Sequence, residues 1–258
     1  MNDLPVQLGF TCHRITRQET MQRFLQVIEA ILDLGRLDRE ITRTGKVKPV
    51  DDWQDLWTRM FAESHEPSPL LTNGREGSAV IATLSLSLSN LSPAGLPFHT
   101  VTISFPARFE HKIEECMARG GDAVGAVIAG WTPHTAGEHL RMLLFNNRKT
   151  PWTAEVRERY AYLELPQFRA GAFNLDTIVR PAWLDWLNYW SPETCGLIGF
   201  PEASKDEEIL KRSYQTESGA WLVKLTDEPL DLEREDHRNV VKWAYERFDR
   251  VGARLREA

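Results

Sequence analysis

Two neighbouring stretches of alternating residues constrain the fold of this chain more than any other feature of its sequence. Between residues 78 and 90, apolar side chains alternate with small hydroxyl-bearing ones, and a second alternating stretch runs from 98 to 105. A period of two residues is typical of a β-strand with one buried face. A Ser-Pro-Ala-Gly turn at 92–95 separates the two stretches, so the sequence predicts an antiparallel strand pair. The hydroxyl-bearing face is either solvated or packed closely against another backbone.

Helical periodicity surrounds this predicted strand pair on both sides. The segments with clear periodicity are helices at 17–34, 51–61 and 107–119, the last ended by Gly120-Gly121. Residues 123–131 are a short apolar run that favours a buried strand, with a helix as the open alternative. The remaining stretches are predicted loops at 36–50 and 64–77, and an unassigned stretch at 132–180. Helices interleaved with antiparallel strands favour an α+β fold, with a mostly antiparallel sheet flanked by helices, in one domain spanning 1–258.

The last third of the chain combines a strand, an acidic turn and a helix. Residues 219–226 alternate as a strand, and Pro229 ends it because proline has no N–H to donate to a neighbouring strand. A helix is predicted from 240 to 251, with Gly252 directly after its end. We call residues 227–236, which lie between the strand and the helix, the acidic turn.

Tryptophans mark the segment that precedes this C-terminal unit. Trp183, Trp186 and Trp190 recur at steps of three and four residues, so a helix is predicted at 179–190 with all three on one face. Two interpretations of this face stay open. Tryptophans fill protein cores, and they also dominate the energetics of protein–protein interfaces.

The charge of the chain is concentrated in one segment. The 258 residues carry a formal net charge of −6, and residues 202–236 hold eleven acidic and five basic residues, which accounts for all of it. Such a segment repels nucleic acid and attracts a basic partner, or it is a solvated surface that keeps the protein soluble. Three distant cysteines, with no apolar run long enough for a membrane helix, favour a reducing, cytoplasmic compartment.

Residue patterns typical of catalysis or metal binding are absent from the sequence. His134 and His139 are five residues apart, which does not place two imidazoles on one helix face. No cysteine has a partner at motif spacing, and the acidic turn lacks the central glycine of a calcium loop. We therefore predict neither an enzyme nor a metal or cofactor site.

Two C-terminal motifs carry a resemblance to a known family. Residues 186–191 read Trp-Leu-Asn-Tyr-Trp-Ser, and residues 225–231 read Leu-Thr-Asp-Glu-Pro-Leu-Asp, with His237 six positions later. Together they resemble the immunity protein 52 family, over residues 181–251. The departures from the family pattern are Trp190 and Leu230, where Leu and Phe are usual, and Asp236 and Arg238 around the histidine.

The resemblance implies an immunity protein that binds and neutralises a cognate toxin. One family member is partnered with a type VI-secreted effector that carries a restriction-endonuclease-like nuclease domain. The resemblance implies no catalysis, no cofactor, no direct nucleic-acid partner and no membrane partner. We predict that the negative charge of the acidic turn faces outward towards the basic groove of the nuclease, with the three tryptophans as a weaker second patch. The predicted contact residues are Asp227, Glu228, Asp231, Glu233, Glu235, Asp236, Trp183, Trp186 and Trp190.

Two functions from other classes compete with this interpretation. The first is a hydrolase or transferase with an unrecognised site near His99, His111 and Glu115, where His111 and Glu115 share one predicted helix. The second is a scaffold of a secretion apparatus. Bound metal or a stabilising small ligand favours the enzyme, and assembly without a toxin partner favours the scaffold.

Overall fold

Ten strands and eight helices make up the described part of the fold. The computed structural model describes residues 5–33, 35–42, 44–61, 69–74, 79–87, 98–145, 151–168, 177–252 and 254. The strands are β1 (Val6–His13), β2 (Arg39–Ile41), β3 (Val47–Pro49), β4 (Leu70–Thr72), β5 (Ile81–Ser87), β6 (Phe98–Phe105), β7 (Ala126–Trp131), β8 (Leu187–Trp190), β9 (Tyr214–Gln215) and β10 (Trp221–Lys224). The helices are α1 (Gln18–Leu32), α2 (Trp53–Phe61), α3 (Ile113–Val124), α4 (His134–Leu144), α5 (Pro151–Tyr160), α6 (Pro192–Ile198), α7 (Ala203–Leu210) and α8 (Glu235–Arg247).

The strands form one antiparallel sheet with the order β3-β2-β4-β5-β6-β1-β7-β8-β10-β9. The predicted strand pair lies inside it, because β5 pairs with β6 from Ile81 opposite Ser104 to Ser87 opposite Phe98. Strand β1 lies between β6 and β7 and pairs with both. The prediction of an α+β fold, with a mostly antiparallel sheet flanked by helices, is confirmed.

Helices α1 and α3 cover one face of the centre of the sheet. Phe24 of α1 is buried and meets the ring of Phe10 at 5.5 Å between centroids. A Cβ on Gly121 of α3 would lie 2.6 Å from the ring of Tyr189, so this glycine allows close packing. The prediction that α3 ends at Gly120-Gly121 is wrong, because the helix continues to Val124 and ends at Gly125, whose φ is +65°.

Aromatic side chains fill the space between β8, β10 and the end of α8. Trp190 is fully buried, and its ring lies 5.3 Å from both Phe200 and Phe248. Phe200 also meets Trp221 at 5.4 Å. All three contacts are edge-to-face, a geometry worth about 0.5–1.5 kcal/mol per pair beyond the burial of the rings.

A buried ion pair joins α7 to α8. The carboxylate of Asp206 is 0% exposed and accepts hydrogen bonds from Arg247 Nε at 2.7 Å and Nη2 at 3.0 Å. It also accepts from the backbone N–H of Glu202 at 2.7 Å. Arg247 donates further to the carbonyl of Gly199 at 2.7 Å. This clamp fixes the C-terminal end of the helix that begins at the acidic turn.

The structure corrects the predicted helix at 179–190. Residues 187–190 form β8, and 179–186 precede it as turns and bends. The Asn188 side chain accepts from Asp185 N at 3.0 Å and donates to Asp185 O at 2.7 Å. These two bonds close a local turn, so the helical spacing of the tryptophans is a coincidence of turn and strand positions.

Other predicted boundaries differ from the structure as well. The predicted loop at 36–50 contains β2 and β3, and the predicted loop at 64–77 contains β4. These strands have three residues each, too few to show alternation. Helix α8 ends at Arg247, so Gly252 is not its terminating residue. Within the described ranges, no helix combines the length and apolar character that crossing a membrane requires.

Candidate functional site

The acidic turn is held in a defined conformation by its own side chains. Leu230 and Leu232 are buried and anchor it to the core. The backbone N–H of Asp231 donates to Nδ1 of His237, which is buried, at 3.0 Å. The backbone N–H of Glu233 donates to Asp231 Oδ1 at 2.9 Å. The alternation of Leu and acidic residues from 230 to 233 therefore places the leucines inward and the acids outward.

Arginines neutralise part of the negative charge of the turn. Arg234 forms ion pairs with Glu228 and, at 2.7 Å, with Asp236, and the hydrogen bond from Arg234 lowers the pKa of Asp236 to about 2. Arg159 of α5 forms an ion pair with Glu233. Arg212 Nε lies 3.8 Å from Asp227 Oδ1.

The predicted negative surface is corrected in one respect. All six carboxylate residues are exposed, as predicted, but Asp227, Glu228, Glu233 and Asp236 are ion-paired within the protein. The turn is a network of mixed charge rather than an unneutralised negative patch. Because exposed ion pairs contribute little stability, a charged partner can replace them at small cost.

An exposed tyrosine lies beside this network. Tyr162 belongs to a 3₁₀ turn at Ala161–Leu163 and is 56% exposed. The guanidinium of Arg238 lies 5.6 Å from the centre of its ring, and Arg238 Nη1 donates to the carbonyls of Leu232 and Glu233 at 2.9 and 2.7 Å. The acidic turn also contacts Tyr160, just before the 3₁₀ turn, whose hydroxyl donates to Glu233 Oε1 at 2.6 Å. We call the acidic turn together with Arg159, Tyr162 and Arg238 the charged aromatic surface.

Sequence reasoning missed the part of this surface that lies before the turn. Arg159 and Tyr162 fall in the stretch 132–180, which shows no clear periodicity. Their only sequence signal is composition, because residues 157–162 contain two arginines and two tyrosines. Arginine and tyrosine are enriched among the residues that dominate protein interfaces.

Two of the three predicted contact tryptophans are core residues. Trp190 is fully buried among Phe200 and Phe248, and Trp186 is buried with its Nε1 donating to the carbonyl of Thr226 at 3.0 Å. Their prediction as a surface patch is wrong, because both side chains are buried. Trp183 is half-buried and donates its Nε1–H to Asp185 Oδ2 at 3.1 Å.

Trp183 and Asp185 also form part of a groove on the sheet, on the side facing away from α1 and α3. Residues of β1, β6 and β7 form its floor, and residues 177–185 cross beside it. Its volume is about 380 Å³. We call it the sheet groove. Its floor includes two glycines and three threonines, which are Gly9, Gly130, Thr11, Thr100 and Thr102. In the backbone register of the strand pair, Thr83 and Ser85 of β5 lie opposite Thr102 and Thr100.

The carboxylate of Asp185 is the titratable group of the sheet groove with a shifted pKa. Burial raises this pKa to about 6, opposed by the hydrogen bond from Thr132 and by the charge of Arg141. Thr132 Oγ1 donates to Asp185 Oδ1 at 2.7 Å, and Thr132 Oγ1 in turn accepts from the backbone N–H of Trp186 at 2.8 Å. A carboxyl group in a groove with a pKa near neutrality is a common property of functional sites.

The residues of the competing enzyme prediction do not form one site. His99 is buried in β6, and its Nδ1 accepts from the backbone N–H of Ile15 at 2.8 Å. His111 and Glu115 line a different groove of about 860 Å³ between α3 and β9, which does not include His99. Glu115 pairs there with Arg119 at 2.7 Å and with Lys112 at 3.6 Å.

Cysteine and metal chemistry receive no support from the described residues. Cys12, Cys116 and Cys195 are buried, and burial raises the pKa of each thiol to about 12. A thiol with such a pKa is a poor nucleophile at neutral pH. The described ranges contain no group of three or more His, Cys, Asp or Glu placed to hold a metal ion.

Comparison with known proteins assigns the chain to a family. The model of one protein family, described as a domain of unknown function (DUF5953), matches residues 17–256. The chain belongs to the DUF5953 family. The resemblance of the C-terminal motifs to the immunity protein 52 family stays a prediction. No curated protein matches this DUF5953 chain.

One solved structure shares the fold of this DUF5953 chain. It is described as Pseudomonas aeruginosa T6SS protein PA0821, with a TM-score of 0.55 and 11% sequence identity. The similarity covers 94% of this chain and 72% of that protein. At this level of identity, the similarity shows a common fold.

Proposed function

We propose that this DUF5953 protein is an immunity protein of a type VI secretion system, which binds a secreted nuclease toxin through the charged aromatic surface. The fold that it shares with a T6SS protein supports the secretion context. The immunity-like motifs at 186–191 and 225–237 support the role of a toxin inhibitor. We further propose that it acts in the cytoplasm by binding alone, where a nuclease would otherwise reach DNA.

The observation that carries this proposal is the exposed Tyr162 beside the acidic turn, with the half-buried Arg238 against its ring. Both residue types dominate the energetics of protein interfaces. Contacts within the protein already order the two side chains, so binding costs less conformational entropy than it would for free side chains.

The charges of the turn fit a partner that grips DNA. A nuclease needs a positively charged surface to bind the phosphate backbone. The exposed carboxylates of Asp227, Glu228 and Glu235 would meet such a surface and raise the rate of encounter. A nanomolar complex needs about 12 kcal/mol of binding free energy. Tyr162 and the arginines would supply anchoring contacts, while the carboxylates would supply selectivity and speed.

The test is co-expression with a nuclease effector encoded beside this gene. The protein should restore growth, and the variant D227R/E228R/E235R should lose rescue and bind at least tenfold more weakly. The control variant E19R/D38R/D51R makes the same change in charge at exposed positions of the N-terminal half and should rescue fully.

Two results would refute the proposal. One is the absence of association between the purified protein and the effector at low salt. The other is an equal loss of rescue in both triple variants with their folds intact, since that outcome attributes protection to total charge rather than to this surface.

A further inference from the structure

The sheet groove lies outside the surface proposed for toxin binding and has the properties of a ligand site. We propose that it binds an organic cation, whose guanidinium or ammonium group contacts Asp185 beside Trp183 while the rest of the ligand lies over Gly9. The proposal does not depend on the immunity function. The cavity volume of about 380 Å³ is at the small end for ligand pockets and suits one amine or one basic side chain.

The carboxylate of Asp185 has capacity for a cationic partner. Oδ1 accepts from Thr132 and Oδ2 accepts from Trp183, and both donors are neutral. Each carboxylate oxygen has two lone pairs, so one acceptor site remains on each. Among the described residues, no Lys or Arg nitrogen forms an ion pair with this carboxylate within 4.0 Å. A cation reaching it compensates a charge that burial disfavours.

Two glycines opposite each other on β1 and β7 shape the groove. Gly9 pairs with Gly130 in the sheet. A Cβ on Gly130 would lie 2.1 Å from Asp185 Oδ2, so this glycine makes room for the carboxylate. Among the described residues, no atom lies within 4 Å of the Cβ position of Gly9, so they leave the floor beside the carboxylate open. Glycine inside a strand weakens the strand and marks a place where another group approaches the backbone closely.

The hydroxyls and charges around Asp185 restrict which cation fits. Thr11 and Thr102 line the floor and offer hydroxyl groups to polar parts of a ligand. Arg180 also lines the groove and donates to the carbonyl of Arg250 at 3.1 Å. Arg141 lies 5.9 Å from the Trp183 ring and donates to the carbonyl of Gly137 at 3.2 Å. Because these arginines oppose positive charge, a single cationic group at Asp185 fits better than a polycation.

The experiment is an NMR titration of the whole protein at pH 7.5 with N-acetyl-argininamide. The neutral control is N-acetyl-citrullinamide, which replaces the guanidinium with a urea group of the same shape. We expect saturable shifts of the Trp183 indole N–H and the Gly9 amide, with a dissociation constant in the low millimolar range. The citrulline compound should cause no saturable shift. Equal binding of the two compounds would overturn the proposal.

Two variants and one pH change locate the binding. D185N removes the charge, and G9V fills the floor where the structure has space for a side chain. Each should weaken binding at least tenfold, while E246Q, which removes an exposed carboxylate on α8, should bind like the wild type. Wild-type binding should weaken about tenfold at pH 5, which tests Asp185 even if a variant fails to fold. Unchanged affinity at pH 5 and in folded D185N refutes the site.

A third probe separates two sources of the cation. Agmatine carries the same guanidinium group without the amides of a peptide. Tighter binding of agmatine indicates a free small amine as the ligand. Tighter binding of N-acetyl-argininamide indicates an arginine side chain of a protein partner, and either result supports a cation site.

Discussion

Replacing Asp206 with asparagine tests the clamp between α7 and α8. The substitution leaves the guanidinium of Arg247, whose side chain is 10% exposed, without its buried counter-charge. Removing one partner of a buried ion pair costs about 3–5 kcal/mol. The asparagine oxygen still accepts one hydrogen bond, and Arg247 keeps the carbonyl of Gly199 and the carboxylate of Glu202 at 3.7 Å, so we expect a loss of about 3 kcal/mol in the free energy of unfolding.

The measurement is urea unfolding followed by circular dichroism and by tryptophan fluorescence. For a chain of this size, a loss of about 3 kcal/mol lowers the melting temperature by roughly 6–12 °C. The control is E208Q, since Glu208 pairs with Lys211 on the exposed side of α7, and it should change stability by less than about 1 kcal/mol.

A second variant distinguishes loss of the pair from loss of the carboxylate alone. R247M together with D206N should cost less than the sum of the two single variants, because each single variant leaves one buried partner uncompensated. A loss below about 1 kcal/mol in D206N, or strictly additive effects, would show that the pair does not stabilise the junction as argued.

Three further predictions concern packing, pH dependence and binding. G121A should lose about 1–3 kcal/mol in urea unfolding because its Cβ would overlap the Tyr189 ring. G196A, in α6, where no described atom lies within 4 Å of the Cβ position, should be about as stable or gain up to about 1 kcal/mol, and equal effects would contradict this packing. The pKa of Asp185 is raised from 3.8 to about 6, so its contribution favours folding at acid pH and is lost as pH rises through 4 to 6. Relative to D185N, the wild type should therefore lose about 2 kcal/mol between pH 4 and pH 7 in urea titrations, and parallel curves would exclude this shift. Y162A should weaken binding to the toxin tenfold or more in calorimetry without lowering the melting temperature, and unchanged affinity would remove Tyr162 from the interface.

The sequence predicted elements whose signal is local. The β5–β6 pair was recognisable because alternation over seven or more residues reports a half-buried strand directly. The outward carboxylates of the acidic turn were recognisable because acidic residues are concentrated around the proline that ends the strand. Such patterns depend only on neighbouring residues.

The failures depend on contacts between distant residues. Trp186 is in the core because β8 pairs with β7 and β10, and spacing within 179–190 contains no information on either partner. Arg159 and Glu233 are 74 positions apart, so their ion pair is invisible in the sequence. The same holds for Asp185 and Gly130, whose closeness creates the sheet groove.

The two outermost strands of the sheet have a consequence for how the protein behaves at high concentration. β3 has three exposed residues, among them Lys48 and Pro49, and β9 has two residues, both exposed. Short edge strands give another chain few backbone groups to pair with, and β3 also carries a charge and a proline. We therefore expect that the protein can accumulate to high concentration in a cell without forming fibrils.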